Sequence, residues 1–180
     1  MKVLLGVSGS IAAYKACDII TKLRHHDHEV RVILTESAKE LVSEVTLATL
    51  SGHPCISDFW VDAKKGSIDH IDVSQEWADL LVVAPATTNM IAKFALGIAD
   101  DYLSTTFTSA NCPKMVAPAM NTSMLHHKPT QRNLQLLRDD GVEIIESDSG
   151  RLACGTVGEG KLRNVDDIVA AILEFAESTK

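Results

Sequence analysis

The sequence predicts an α/β fold, a parallel β-sheet with helices on both faces. Short apolar runs of strand length alternate with longer segments of helical periodicity along the 180 residues. This β-α-β-α order is typical of parallel sheets. Apolar residues make up 46% of the chain, which is enough for one hydrophobic core. We therefore expect a single domain over residues 1–180.

The N-terminal part supplies two predicted strands and the helix between them. KVLLGV (2–7) is a continuous apolar run, as in a strand buried on both faces, and VRVIL (30–34) is the next strand. A helix is predicted from Ser10, its expected N-cap. The apolar face of this helix consists of Ile11, Ala12, Ala16, Ile19, Ile20 and Leu23. After the second strand, SAKE (37–40) matches a capping box, which predicts a helix start at Ser37.

The rest of the chain repeats the alternation. The predicted strands are DLLVVAP (79–85), KMVAPAM (114–120) and VEIIE (142–146). The predicted helices are NMIAKFALGIADD (89–101), YLSTTFTSA (102–110), PTQRNLQLLRDD (129–140), which Gly141 ends, and VDDIVAAILEFAES (165–178).

The loops after the strands are the predicted ligand site, because open parallel sheets bind ligands beyond the carboxyl ends of their strands. These loops are GVSGS, TES, PATTN and PAMN. Gly6 and Gly9 would let backbone N–H groups approach an anion at the start of the first helix. The loops also carry hydroxyls that suit a mononucleotide phosphate and a ring rich in hydrogen-bonding groups, such as flavin: Ser10, Thr35, Ser37, Thr87 and Thr88.

Charge and cysteine usage narrow the functional classes. The formal net charge is -7 and no basic cluster stands out, so we expect neither nucleic acid nor a membrane surface as a partner. The four cysteines are widely spaced, without a CxxC pair. This spacing argues against a metal site or a disulfide framework and favours a reducing, cytoplasmic location.

The segment RLACGTVGEGK (151–161) places one cysteine beside three glycines, Gly155, Gly158 and Gly160. Each glycine costs backbone entropy in a regular element, so we expect neither helix nor strand here. Cys154 would then lie on a hinged segment that closes over a ligand and opens again. The simpler alternative is a small buried residue in a turn.

Four motifs in order, GSIAAYK, DHIDVSQEWADLLVVAPATTNMIAKFALGIADD, APAMNTSM and ACGTVGEGK, closely resemble the flavin-dependent cysteine decarboxylases. The resemblance covers roughly residues 3 to 165. It implies a Rossmann-like or flavodoxin-like sheet, bound FMN, no metal, and homotrimers or dodecamers of trimers with the active site at a subunit contact.

The resemblance also implies roles for individual residues. Its cofactor-binding positions are Gly9, Ser10, Ile11, Thr35, Ser37, Thr87, Thr88, Asn89, Met90 and Ala119. Its catalytic positions are His70, Asn121 and Cys154, and its substrate-binding positions are Asn121, Met124, Ala153 and Cys154. Relatives often have one residue fewer between the histidine and the tryptophan of WAD, here His70 and Trp77. The basic group for a substrate phosphate therefore stays open among Lys93, Lys161 and Arg163.

Within the family, the motifs are most similar to the branch that decarboxylates 4'-phosphopantothenoylcysteine to 4'-phosphopantetheine in coenzyme A biosynthesis. The implied route oxidises the thiol to a thioaldehyde, loses carbon dioxide to give an enethiol, and reduces the enethiol. His70 would handle the thiol proton, since histidine titrates near neutral pH. Asn121 would bind the carboxylate through a neutral amide, or simply cap a helix, and Cys154 would donate the last proton.

Two alternatives come from the same superfamily. Peptidyl-cysteine decarboxylases of lantibiotic maturation stop at the enethiol, whereas Cys154 and PAMN favour the reaction that continues to reduction. A non-catalytic FMN-binding regulatory subunit is the other alternative, and the combination of His70, Asn121 and Cys154 argues against it. The chain ends soon after its last predicted helix, so we expect a separate phosphopantothenate–cysteine ligase to act upstream.

Overall fold

The computed structural model describes residues 1–57 and 72–178. Its central sheet has five parallel strands in the order β2-β1-β3-β4-β5. The strands are β1 (Lys2–Val7), β2 (Glu29–Leu34), β3 (Leu80–Ala86), β4 (Lys114–Pro118) and β5 (Glu143–Ile144). This is the flavodoxin-like strand order, and it confirms the predicted fold class.

The helices cover both faces of the sheet. A short 3₁₀ helix (Ile11–Lys15) leads into α1 (Ala16–His25). The other helices are α2 (Glu36–Lys39), α3 (Glu44–Ser51), α4 (Thr88–Leu96), α5 (Tyr102–Ser109), α6 (Thr122–Leu125), α7 (Lys128–Asp139) and α8 (Val165–Ser178). A π-helical turn spans Asp72–Trp77. The predicted end of α7 is confirmed, because Gly141 follows it with a φ of +83°.

Two apolar clusters form the core, one on each face of the sheet. β3 is buried along its whole length, as its continuous apolar sequence predicts. On one face, α1 and α8 pack their apolar stripes against β1, β2 and β3, with Ile20 and Ile168 fully buried. On the other face, α4, α5 and α7 bury Ile91, Leu103 and Leu134. The sheet is therefore packed between two layers of helices.

Two local predictions near the first helices are wrong. The N-cap of α2 is Thr35, whose hydroxyl accepts the Ala38 N–H at 3.3 Å, so the helix does not start with a capping box at Ser37. The helix begins directly where β2 ends, which puts the cap two residues earlier. Ile11 is also 64% exposed and does not belong to the buried stripe of the first helix.

The prediction that residues 151–161 avoid regular structure is wrong as well. Asp148–Arg151 (β6) and Val157–Lys161 (β7) pair as an antiparallel hairpin, with Cys154 in the connecting turn. The glycines in β7 are tolerated because the strand lies close against a neighbouring loop, where larger residues would collide. Within the described ranges, no helix has the length and apolar character needed to cross a membrane.

Candidate functional site

A cavity of about 660 Å³ lies at the carboxyl ends of the central strands. Three loops and the hairpin form its wall. The residues that follow β1, β3 and β4 contribute Gly9, Ser10, Ile11, Thr87, Thr88, Ala119 and Asn121. The hairpin contributes Arg151, Leu152, Ala153, Cys154, Gly160 and Lys161. A cavity of this size and position fits a cofactor together with a small substrate.

Ser8 joins the ends of β1 and β3, where the strand order reverses. Its side chain is fully buried, and its hydroxyl donates to the Pro85 carbonyl at 2.7 Å. The same oxygen accepts the Thr87 N–H at 3.0 Å. A buried hydroxyl with both its donor and acceptor roles filled fixes the spacing between the two loops. Sequence reasoning missed Ser8, since its partners lie far away in the chain.

Ser10 performs a similar role between the first loop and β4. Its hydroxyl accepts the Ala12 N–H at 3.3 Å, which confirms it as an N-cap, and donates to the Ala119 carbonyl at 3.3 Å. Thr88 reaches the same side, with its hydroxyl 3.1 Å from the Met120 sulfur. These contacts bring three of the predicted loops together around one cavity.

Four of the predicted cofactor positions lie outside the cavity lining: Thr35, Ser37, Asn89 and Met90. Thr35 caps α2. Ser37 lies directly against Gly9, so a side chain at Gly9 would overlap it. Met90 is 2% exposed and its side chain packs in the core beneath α4 rather than toward the cavity. The cofactor roles of these four residues stay predictions.

Asn121 and Cys154 meet at the opening of the cavity. The Asn121 Oδ1 accepts the Ser123 N–H at 2.8 Å and so caps α6. This bond orients the amide so that Nδ2 faces the hairpin, where it donates to the Cys154 sulfur at 3.3 Å. The interpretation of Asn121 as a helix cap is confirmed, and its role in binding a carboxylate stays a prediction, for which the other end of the amide leaves a donor toward the cavity.

The hairpin is fixed to the loop that carries Asn121. The Met120 N–H donates to the Gly160 carbonyl at 2.9 Å, and the Thr122 hydroxyl donates to the Glu159 carbonyl at 2.6 Å. Gly160 has a φ of +108°, and a Cβ there would overlap the Met120 carbonyl oxygen. The glycines that sequence reasoning took for hinges therefore serve close packing at Gly160 and also at Gly158.

The Cys154 thiol differs from the other three in its surroundings. Hydrogen bonds from the Thr156 side chain and backbone, and then from Asn121, lower its pKa below the ordinary value. Burial raises the pKa of Cys17 and Cys112, and together with Glu44 it raises the pKa of Cys55 to about 12. Of the four thiols, Cys154 is the most readily ionised and the most accessible.

Of the remaining predicted site residues, two line the cavity and one lies outside the described part of the chain. Met124 and Ala153 line the cavity beside Asn121 and Cys154. His70 lies outside the described residues, and its role stays a prediction. Sequence reasoning missed four residues that line the cavity: Tyr14, Lys15, Arg151 and Leu152. No pattern in the sequence marks which side chains of a helix or hairpin face a ligand.

Among residues 1–57 and 72–178, no group of three or more acidic, histidine or cysteine side chains is arranged to hold a metal ion.

Comparison with known proteins shows to which family the chain belongs. The family model described as "Flavoprotein" matches residues 1–177. The chain belongs to the flavoprotein family. This flavoprotein is 48% identical over 178 residues to the coenzyme A biosynthesis bifunctional protein CoaBC of Bacillus subtilis. The match takes in 98% of this chain and 44% of the relative, so the chain spans less than half the length of that protein.

Solved structures share the architecture of this flavoprotein. A PPC decarboxylase variant with serine in place of a cysteine, complexed with pantothenoylaminoethenethiol, has a TM-score of 0.86 and 30% identity, covering 98% of both chains. The FMN-dependent cysteine decarboxylase SpaF has a TM-score of 0.82 and 34% identity, covering 98% of this chain and 97% of that one.

Proposed function

We propose that this flavoprotein catalyses the FMN-dependent decarboxylation of 4'-phosphopantothenoylcysteine to 4'-phosphopantetheine, a step of coenzyme A biosynthesis. The observation that carries the proposal is the pairing of the Cys154 thiol with the Asn121 amide, 3.3 Å apart, at a cavity on the switch point of the sheet. The similarity to the Bacillus subtilis protein and to PPC decarboxylase supports the choice of pathway.

The cavity fits FMN in its size and in the chemistry of its walls. Ser10 and Thr88 supply hydroxyls, Gly9 and Ala119 leave room for a ring, and Lys15 adds a positive charge near the start of the first helix. FMN held there would supply reversible hydride chemistry at the carbon that bears sulfur, and the thioaldehyde sulfur would then be the electron sink for loss of carbon dioxide. Thr35, Ser37, Asn89 and Met90 stay cofactor predictions.

Asn121 would bind the substrate carboxylate. Its Oδ1 is held by the cap of α6, so the group left for the cavity is the Nδ2 donor. A neutral amide holds a carboxylate without the strong charge stabilisation of an arginine, which would oppose loss of carbon dioxide. The substrate would replace the Cys154 sulfur as the acceptor of this N–H.

Cys154 would donate the proton that completes reduction of the enethiol. The thiol lies on an exposed turn next to Asn121, and Met124 and Ala153 complete the apolar wall around the same point. Hydrogen bonds from Thr156 and Asn121 lower the pKa of this thiol below its ordinary value, which makes it a stronger proton donor. His70 would act as the base for the substrate thiol in this scheme.

Exposed apolar side chains at the cavity and on the hairpin support a subunit contact here, as in the homotrimer or dodecamer of trimers that the resemblance implies. Ile11 and Tyr14 are 64% and 58% exposed, and Val157 in the hairpin is 80% exposed. Large apolar side chains around a site are typical of surfaces that another subunit covers. The substrate joins cysteine to phosphopantothenate through an amide, so a phosphopantothenate–cysteine ligase activity would have to supply it.

The test uses purified wild type, Cys154→Ser and the control Cys112→Ser, each loaded with FMN. Carbon dioxide release and product mass are followed after addition of 4'-phosphopantothenoylcysteine. We expect 4'-phosphopantetheine from wild type and from the control, and a product lighter by two hydrogen atoms from Cys154→Ser. Enethiol from wild type as well would indicate a peptidyl-cysteine type of decarboxylase, and FMN binding without carbon dioxide release would indicate a regulatory subunit.

A further inference from the structure

The hairpin that carries Cys154 also carries two cations that face the cavity. Lys161 in β7 and Arg151 in β6 both line it. Throughout the part of the chain that the structure describes, neither side chain forms an ion pair with a carboxylate. The net charge of the chain is -7, and yet two cations without a carboxylate partner lie beside the cavity. This arrangement indicates an anionic ligand.

The other basic residues that sequence reasoning considered for a phosphate are already neutralised. Lys93 is bound between Asp100 and Asp101. Arg163 pairs with Asp148 at 3.2 Å and with Asp167 at 2.7 Å. Asp148 stands opposite Lys161 in the hairpin, but its carboxylate is engaged by Arg163 and by the Asn164 N–H at 2.8 Å. The acid nearest to Lys161 in the register is therefore occupied, and Lys161 is left for a ligand.

Gly150 lets the side chain of Lys161 lie flat across the hairpin. A Cβ at Gly150 would lie 3.3 Å from the Lys161 Cδ and 3.7 Å from its Nζ. The alkyl chain thus crosses from β7 to β6 and places the ammonium group next to the residue that precedes Arg151.

The substrate is long enough to reach from Asn121 and Cys154 to the ammonium group of Lys161. Four residues lead from Gly150 to Cys154, which span at most ~13 Å of extended chain. Eleven bonds separate the phosphorus of 4'-phosphopantothenoylcysteine from the carbon that bears its carboxylate, roughly 12 Å when extended. A substrate with its carboxylate at Asn121 can therefore place its phosphate at the Lys161 ammonium.

We infer that Lys161, together with Arg151, forms the subsite that binds the 4'-phosphate of the substrate. The inference rests on the proposed function for the identity of the ligand. The cysteine end of the substrate would lie at the turn of the hairpin, beside the Cys154 thiol. The phosphate end would lie at the other end of the hairpin, beside the Lys161 ammonium. Substrates with and without the phosphate would then differ in KM far more than in kcat.

The experiment compares the FMN-loaded variants Lys161→Met and Lys161→Arg with wild type. Each is assayed with 4'-phosphopantothenoylcysteine and with its dephosphorylated counterpart, pantothenoylcysteine. We expect Lys161→Met to raise the KM for the phosphorylated substrate about 10-fold, the loss of one charged hydrogen bond, with no change for pantothenoylcysteine. Lys161→Arg should restore the wild-type KM, and Lys22→Met, which removes an exposed charge on α1, should change neither.

Equal losses on both substrates would show a structural role for Lys161 and would overturn the inference, as would no loss on either. An unchanged phosphate preference in Arg151→Met would remove that residue from the subsite. Weaker FMN binding by Lys161→Met would instead assign the ammonium to the phosphate of the cofactor.

A binding measurement separates this inference from the proposed function, because it needs no turnover. Calorimetric titration with 4'-phosphopantothenate and with pantothenate should show a preference for the phosphorylated ligand in wild type that Lys161→Met abolishes. If no carbon dioxide is released but this preference is present, the subsite stands and the reaction falls. If turnover occurs and the preference is absent, the subsite falls and the reaction stands.

Discussion

The immediate neighbours of Cys154 control the pKa of its thiol. Its sulfur lies 3.1 Å from the Thr156 hydroxyl and 3.3 Å from the Asn121 amide nitrogen. Hydrogen bonds to sulfur stabilise the thiolate and lower the pKa. An ordinary cysteine has a pKa near 8.5, so an argument from residue type alone overestimates the pKa of this thiol.

We predict that Thr156→Val raises the pKa of Cys154, whereas Thr156→Ser leaves it unchanged. Valine has the shape of threonine but no hydroxyl, so the thiolate loses its largest stabilising contact. Alkylation of Cys154 by iodoacetamide, followed by mass spectrometry across a pH series, should shift toward higher pH in the valine variant only. Because the thiol then stays protonated to higher pH, the alkaline fall in turnover should move the same way. Identical alkylation profiles would contradict the assignment of Thr156.

The β6–β7 hairpin shows how an element with unfavourable local composition is stabilised by its neighbours. Strand glycines are costly in isolation. Here they permit a backbone contact between Gly160 and Met120 and a side-chain contact between Thr122 and the Glu159 carbonyl. The imidazole of His126 lies beside them, 3.0 Å from the Glu159 carboxylate. The hairpin therefore holds Cys154 close to Asn121.

We predict that Gly160→Ala destabilises the hairpin much more than Gly155→Ala. Both glycines have a positive φ, +108° and +89°, so both substitutions carry the strain of that conformation, about 1 kcal/mol. Only at Gly160 would the new Cβ also overlap a backbone oxygen, which should raise the loss to about 3 kcal/mol.

Denaturant unfolding gives the two free energies, and amide hydrogen exchange over residues 152–161 locates the change. Exchange should accelerate in Gly160→Ala and stay near wild type in Gly155→Ala. Equal losses of stability in the two variants would mean that the contact with Met120 does not hold the hairpin in place.

At the scale of the whole molecule, the parallel sheet gathers distant segments at one edge. The strand order brings the loops after β1, β3 and β4 together, and the buried Ser8 joins two of them. Two of the side chains that line the cavity, Ile11 and Tyr14, are apolar and largely exposed. The site thus depends on the complete sheet and, in our proposal, on a neighbouring subunit.

We predict that Ile11→Glu disrupts the oligomer and that Leu136→Glu does not. Both residues are exposed apolar side chains, but Ile11 lies on the rim of the cavity and Leu136 on α7, away from it. A buried glutamate at a subunit contact would be strongly unfavourable. Light scattering should give a multiple of three chains for wild type and Leu136→Glu and a lower mass for Ile11→Glu. A wild-type monomer, or dissociation by Leu136→Glu alone, would contradict the assignment of this surface.

Much of the fold and part of the candidate site could be predicted from the sequence. Continuous apolar runs such as KVLLGV and DLLVVAP predict buried strands because every position must avoid water. The N-cap at Ser10 depends only on residues a few positions away in the chain, and so does the end of α7 before Gly141. The short motifs around Asn121 and Cys154 were sufficient to indicate the family, and the structure brings these two side chains together.

The sequence by itself thus determined the strands of the central sheet, the sheet type, the family and the residue types available for chemistry, because each depends on local pattern. Only the tertiary structure decided which side chains meet. Ser8 and Pro85 are 77 residues apart, and Asn121 and Cys154 are 33 apart. The same holds for the hairpin and for the free charge on Lys161, since packing across the fold stabilises its glycine-containing strand and Arg163 occupies the neighbouring acid. Such contacts depend on distances that only the folded chain establishes.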